Sequence, residues 1–196
     1  MPKQTVTARF ANSALIGDIK EIFFNEIQLD EIVARLGRQI SADFKGKNLL
    51  MISVLKGSVV FMADLMRHIT IPCKIDFISS SIYKNKTMAQ PRPEITDILQ
   101  YDDISMFDIL VVEDILDTGR TLQGLSEFLM AKGAKSVTIC TLLDKPERRD
   151  PSTTIKPAYV GARVANEFVV GYGLDFDEKY RNLPFIGILK PEIYQQ

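Results

Sequence analysis

Side chains that carry much of enzyme chemistry are scarce here: the 196-residue chain has one histidine, two cysteines and no tryptophan. His68 sits in the helix-end stretch Met66-Arg67-His68 and reads as solvated, which leaves nothing for a Ser-His-Asp relay or a two-histidine metal site. Cys73 and Cys140 are far apart, form no CxxC pair and fall in apolar, strand-like stretches, so they read as buried free thiols. No uninterrupted apolar run reaches membrane-spanning length, and Met1–Phe10 lacks the apolar core of a signal segment. The expectation is a cytoplasmic protein with no membrane partner. Excess charge is missing too: the net charge is −1, so no global field draws the protein to nucleic acid, and any bound anion must be held by local groups. The one Arg pair, Arg148-Arg149, lies between Glu147 and Asp150 and reads as a solvated mixed face. Neither GxxxxGK[ST] nor GxGxxG occurs, which excludes a P-loop and a dinucleotide fingerprint.

What is present suits one α/β domain. The chain is long enough to bury roughly 70% of its extended surface, and 46% hydrophobic with 25% charged residues is ordinary for a globular protein. Leu29, Ile32, Val33, Leu36 and Ile40 recur at helical spacing, with Asp30 as a candidate cap. Leu49–Leu55 reads as a buried strand, followed by Lys56-Gly57-Ser58 and a helix through Met66. Ile75–Ser81, Ile109–Val112 and Ser136–Leu143 read as further strands, with a helix from about Thr121 to Lys132. Strands that are apolar throughout and alternate with helices point to a parallel sheet covered on both faces. Residues about 29–150 form the expected core. Segments about 18–28 and 151–190 form a smaller lobe. Between Tyr83 and Asp108 there is no strong periodicity, and a loop of that length reads as a mobile lid, about 82–100.

The most informative stretch is Val111-Val112-Glu113-Asp114-Ile115-Leu116-Asp117-Thr118-Gly119-Arg120-Thr121. It lies where a parallel sheet binds ligands, at the carboxyl end of a strand entering a helix. Gly119 permits a tight turn, Thr118 and Thr121 offer hydroxyls, and the helix start offers unpaired N–H groups to a phosphate. Glu113 and Asp114 would repel that phosphate if they faced it, but they suit hydrogen bonds from sugar hydroxyls. A phosphate beside vicinal hydroxyls is a ribose 5-phosphate. Capping alone would explain one acid or one threonine, not three acids and two threonines around one glycine.

VVEDILDTGRT resembles the phosphoribosyl-pyrophosphate signature of the type I phosphoribosyltransferases. Together with Leu55-Lys56-Gly57, Asp144-Lys145 and Phe168–Arg181, it resembles the hypoxanthine-guanine branch of that family, over nearly everything from Asp18 to Leu189. The resemblance implies a Rossmann-like, mostly parallel sheet flanked by helices with a small hood lobe. It implies a Mg²⁺-dependent glycosyltransferase of purine salvage that moves 5-phosphoribosyl from phosphoribosyl pyrophosphate to N9 of hypoxanthine or guanine. A homodimer or homotetramer is also implied.

By the same resemblance, Glu113 and Asp114 bind the ribose hydroxyls, directly or through metal-bound water, and Asp117, Thr118, Gly119, Arg120 and Thr121 hold the 5-phosphate. Asp117 is the general base near purine N7. Lys56 and Gly57, in a loop often containing a non-proline cis peptide, meet pyrophosphate together with Arg181. Lys145 donates to O6 of the base, which suits an oxo group and rejects the amino group of adenine. Phe168 stacks on the purine and Val169 offers backbone groups to its edge. Asp175, with Glu113 and Asp114, supplies oxygen ligands for Mg²⁺, and Tyr83 belongs to the lid. The family's lid has a Ser-Tyr pair where this chain has Ile82-Tyr83, and Pro91 and Pro93 stand in place of a Gly/Ser-rich stretch. A phosphoribosyl-pyrophosphate-sensing regulator of the same fold is the alternative reading.

Overall fold

The computed structural model describes residues 10, 13–83 and 92–195. Its main sheet has six strands in the order β4-β3-β2-β5-β6-β7: β2 (Leu49–Leu55), β3 (Cys73–Tyr83), β4 (Arg92–Thr96), β5 (Asp108–Leu116), β6 (Ser136–Asp144) and β7 (Tyr159–Arg163). All neighbours run parallel except β4, which returns antiparallel along β3. Alternate residues of the central strands serve two cores. Leu49, Met51, Leu110, Val112, Cys140 and Leu142 face one side, under α2 (Glu26–Asp43) and α3 (Val59–Arg67). Leu50, Ile52, Val54, Ile109, Val111 and Ile139 face the other, against α4 (Arg120–Ala131). A strand that feeds two cores cannot alternate apolar with polar, which is why these strands read as continuous apolar runs.

The long helix α2 starts earlier than its apolar spacing suggests. Asn25, not Asp30, caps it: Asn25 Oδ1 accepts from Gln28 N at 2.9 Å, and Gln28 Oε1 accepts from Asn25 N at 3.0 Å. This reciprocal cap satisfies donors that the helix itself cannot. Its buried face is Leu29, Val33, Leu36 and Ile40.

A second sheet, β1-β9-β8, is antiparallel and joins the two chain ends: β1 (Ile19–Phe24), β8 (Val169–Val170) and β9 (Ile186–Leu189). Ile186 and Ile188 pack into the core beneath α2 and α3, while Val170 and Leu189 face a separate cluster under the short helices α1 (Ala14–Gly17) and α5 (Pro191–Tyr194). The hood is therefore continuous with the main core. Its extent differs from the sequence division in two places. Residues 26–28 are already the first turn of α2, and β7 is the edge strand of the main sheet, paired to β6 from Cys140↔Tyr159 to Asp144↔Arg163.

The segment expected as a lid is partly regular. β3 runs on to Tyr83, and β4 pairs back from Tyr83↔Arg92 to Ser79↔Thr96, so both ends belong to an antiparallel hairpin. Residues 84–91 and the side chains of Ile82 and Tyr83 lie outside the described residues. Both cysteines are free; Cys140 is buried and Cys73 only half-buried. No helix among the described residues is long and apolar enough to cross a membrane.

Candidate active site

Strands β2, β5 and β6 lie side by side and parallel, so the segments that leave their carboxyl ends meet on one edge of the sheet. These are Lys56-Gly57, Asp117–Thr121 and Lys145. β2 leads through α3 to β3 on one side and β5 leads through α4 to β6 on the other, so the chain order reverses between β2 and β5. A crevice opens at such a reversal, and that is where open α/β sheets take ligands.

The last turns of β5 place two acids in this crevice. Glu113 Oε2 is buried with no hydrogen-bond partner, and its carboxyl is held well above the usual range, first by burial and then by the charge of Asp114. Asp114 is 9% exposed, and burial pushes it up to about 6; the charge of Asp175 adds to the rise, whereas the Ile115 N–H and Arg181 oppose it. Asp114 Oδ1 accepts from Ile115 N at 2.6 Å. A buried acid lacking donors is costly in the folded chain alone and is expected at positions that await a ligand.

The turn that follows is shaped by Gly119, at φ 85°, the N-cap residue of α4. A Cβ there would meet Ile155 Cγ2 at 2.9 Å and Thr153 Oγ1 at 3.1 Å. Gly119 has no side chain to cap this helix start, and the Arg120 N–H makes only a long contact of 3.5 Å to Thr118 Oγ1, so the first N–H groups of the helix are available to an anion. Asp117 is paired: its Oδ1 accepts from Arg148 Nε at 2.8 Å, and its main-chain carbonyl accepts from Arg149 Nη1 at 2.7 Å. Arg149 also pairs with Asp144, and Arg120 with Asp150. The reading of Arg148-Arg149 as a solvated mixed face is therefore corrected. The 3₁₀ turn Pro146–Arg148 folds both guanidiniums back onto the β5 turn, a tertiary contact that the flanking acids concealed.

On the other side, the Leu55–Lys56 peptide is cis. A Cβ on Gly57 would fall 1.7 Å from Asp114 Oδ2, so only glycine lets this loop lie directly on the acidic pair. Gly173, at φ 102°, packs the hood loop on in turn, since its own Cβ would be 2.0 Å from Gly57 O. The two serines that frame the loop are buried together. Ser58 Oγ donates to Val54 O at 2.6 Å and meets Ser53 Oγ at 2.7 Å. Ser58 has a single hydroxyl proton, so Ser53 must be the donor in their mutual bond. Arg181 Nη1 donates to Gly173 O at 2.8 Å, and its Nη2 pairs with Asp175 Oδ1 at 2.9 Å. Glu178, which nothing in the sequence singled out, links the two sides: Oε2 lies 3.0 Å from Lys56 Nζ and Oε1 lies 3.1 Å from Arg181 Nη2.

Lys145 begins the third segment. Its amide donates to Leu116 O at 2.9 Å and its Nζ to Glu167 O at 2.7 Å. Burial lowers its pKa, opposed by the charge of Asp117. A single carbonyl leaves two ammonium donors for another acceptor. Phe168 stacks on Tyr194 with ring centroids 4.7 Å apart and meets Phe176 edge to face at 5.5 Å. Val169 lies next to it on β8, paired with Ile188 of β9. Among the described residues no three carboxylate, histidine or cysteine side chains converge closely enough to hold a metal by themselves. Asp175 instead meets Arg181 Nη2 at 2.9 Å and accepts from Glu178 N at 3.0 Å, so a cation held by Asp175, Glu113 and Asp114 would need further oxygens from a ligand.

Comparison with known proteins agrees with this geometry. The phosphoribosyl transferase domain family matches residues 24–177. The hypoxanthine-guanine phosphoribosyltransferase of Staphylococcus aureus is 44% identical over 177 residues, covering 90% of this chain and 97% of that protein. The bifunctional protein TilS/HprT of Listeria innocua is 44% identical over 94% of this chain, which spans only 28% of that protein's length. A crystal structure of a hypoxanthine phosphoribosyltransferase from S. aureus superposes with a TM-score of 0.88 at 42% identity, covering 95% of this chain and all of that one. A hypoxanthine-guanine phosphoribosyltransferase from Bacillus anthracis superposes with a TM-score of 0.79 at 44% identity, covering 88% of this chain and 98% of that one. The chain belongs to the phosphoribosyltransferase family, in its hypoxanthine-guanine group.

Proposed function

We propose that this chain transfers 5-phosphoribosyl from phosphoribosyl pyrophosphate to N9 of hypoxanthine or guanine, releasing pyrophosphate. The observation that carries the reading is the pairing of an uncapped α4 N-terminus with the buried acids Glu113 and Asp114 at the sheet reversal. One end suits the 5-phosphate of a ribose and the other its hydroxyls. Thr118, Gly119, Arg120 and Thr121 hold the phosphate. Glu113 and Asp114 accept from the 2′- and 3′-hydroxyls, which supplies the partner that Glu113 Oε2 lacks. Asp117 takes the N7 proton, which raises the nucleophilicity of N9. Lys145 donates to O6, Phe168 stacks on the purine, and Val169 presents backbone to the base edge. Lys56, Gly57 and Arg181 receive pyrophosphate.

Oxygen donors suit a hard cation, and one or two carboxylates completed by substrate oxygens is how Mg²⁺ is commonly bound. Asp175, beside Glu113 and Asp114, would hold it, and when bound it neutralises charge on the departing pyrophosphate. Attack at the anomeric carbon then depends chiefly on positioning and electrostatics.

The test is a spectrophotometric panel in which hypoxanthine, guanine, xanthine, adenine, uracil and orotate are each mixed with phosphoribosyl pyrophosphate and Mg²⁺. Turnover of a 6-oxopurine and not of adenine is expected. Binding of the donor without turnover of any base would favour the regulator reading, for which the relatives offer no support.

A further inference from the structure

We propose that Glu178 is a built-in counter-anion of the donor site, a carboxylate that holds Lys56 and Arg181 in the free protein and competes with pyrophosphate for them. The inference rests on assigning those two cations to pyrophosphate. Its geometry is specific. One carboxylate oxygen serves each cation, at 3.0 Å from Lys56 Nζ and 3.1 Å from Arg181 Nη2. Lys56 comes from the β2 loop and Arg181 from the hood, so this one side chain bridges the two segments.

The backbone that presents Glu178 points the same way. Phe176 and Lys179 exchange hydrogen bonds of 3.3 and 3.1 Å across Asp177-Glu178, whose φ angles are 52° and 59°. That is a two-residue hairpin of the type I′ kind, where Asn-Gly or Asp-Gly is strongly favoured because both central residues are left-handed. Asp177 fits the preference, but a glutamate in the glycine position does not. Local turn chemistry gives no reason for it, whereas the two cations do. The Glu178 amide also donates to Asp175 Oδ2 at 3.0 Å, while Arg181 holds Asp175 Oδ1 at 2.9 Å. The turn that presents Glu178 therefore also holds the proposed magnesium ligand.

The pairing is built to be exchanged. The side chains of Lys56 and Glu178 are 67% and 64% exposed, and an exposed ion pair shifts an equilibrium by a factor of about five or less. Pyrophosphate brings several charged oxygens to the same donors and displaces a single carboxylate. Glu178 thus keeps the cations oriented without trapping them.

A loop staple and a competitor make opposite predictions when the charge is removed. Pyrophosphate is titrated calorimetrically into the full-length protein, Glu178→Gln, Lys56→Met and the double variant, once with EDTA and once with Mg²⁺. We expect Glu178→Gln to lower the Kd for pyrophosphate on the order of five-fold in both conditions, with a smaller gain at high salt. Lys56→Met raises the Kd, and adding Glu178→Gln to it recovers less than in the parent. An unchanged or raised Kd in Glu178→Gln overturns the proposal. If Lys56→Met binds pyrophosphate as well as the parent, the assignment of the cations fails and the proposal falls with it. If Lys56→Met weakens binding but Glu178→Gln does not tighten it, the site assignment stands and only the competitor is lost.

Discussion

Replacing Asp114 by asparagine is expected to stabilise the ligand-free protein while disabling it. Burial raises this carboxyl from 3.8 to about 6. At about 1.36 kcal/mol per pKa unit, the fold bears ~3 kcal/mol of ionisation cost at neutral pH. Asparagine keeps the shape of the side chain, its oxygen can still accept from Ile115 N, and it carries no charge. The full figure is an upper bound, because removing one charge also relaxes Glu113, and an amide in this position forms its own contacts with Gly57. A gain of about 1–3 kcal/mol corresponds to several degrees in Tm for a chain of this size, at about 2–4 °C per kcal/mol. The sign follows from where the proton sits. Between about pH 4 and 6 the folded chain keeps a proton on Asp114 that the unfolded chain has lost, so stability falls as the pH rises through that window. Below it both states are protonated and the variant has no electrostatic advantage; above it the advantage is complete. Thermal unfolding in EDTA at about pH 4 and about pH 7.5 measures both limits. A variant no more stable than its parent at the higher pH, or equally favoured at both, would refute the reasoning. Loss of ribose binding should accompany the stabilisation, as expected where a site is strained for function.

Two further outcomes follow from the same geometry. Asp117→Asn is expected to depress kcat by about 10²–10⁴ while leaving donor affinity nearly unchanged, since a general base contributes on that scale; equal turnover in the variant would remove Asp117 from the role. Gly57→Ala places a methyl 1.7 Å from Asp114 Oδ2, so the loop must lift from the acids. Its KM for phosphoribosyl pyrophosphate should rise steeply while that for the purine changes little, and an unaltered donor KM would show that the contact is dispensable.

The parallel core was legible because its signals are local. Leu49–Leu55 and Ile109–Val112 are apolar on both faces, and helices of about the right length separate the strands, so pattern and layer architecture agree. The Val111–Thr121 stretch was legible for the same reason: strand end, turn glycine and helix start are contiguous in eleven consecutive letters. Boundaries were less so. The reciprocal cap at Asn25 and Gln28 lies outside the apolar spacing that defines α2, and β3 continues past its apolar stretch because β4 returns along it.

What only the tertiary structure decided are contacts between segments far apart in the chain. Arg148 and Arg149 read as a solvated pair because Glu147 and Asp150 flank them, yet a short 3₁₀ turn delivers both to Asp117. β7 reads as hood and lies in the main sheet, since strand pairing is chosen by the partner edge and not by composition. Glu178 gives no local signal at all; its place between Lys56 and Arg181 exists only when the hood loop closes on the β2 loop, where Gly173, lacking a Cβ, lets its backbone touch that of Gly57. Periodicity and turn chemistry act over a few residues and are written in the sequence. Which charges meet is settled by packing, and that depends on the whole chain at once.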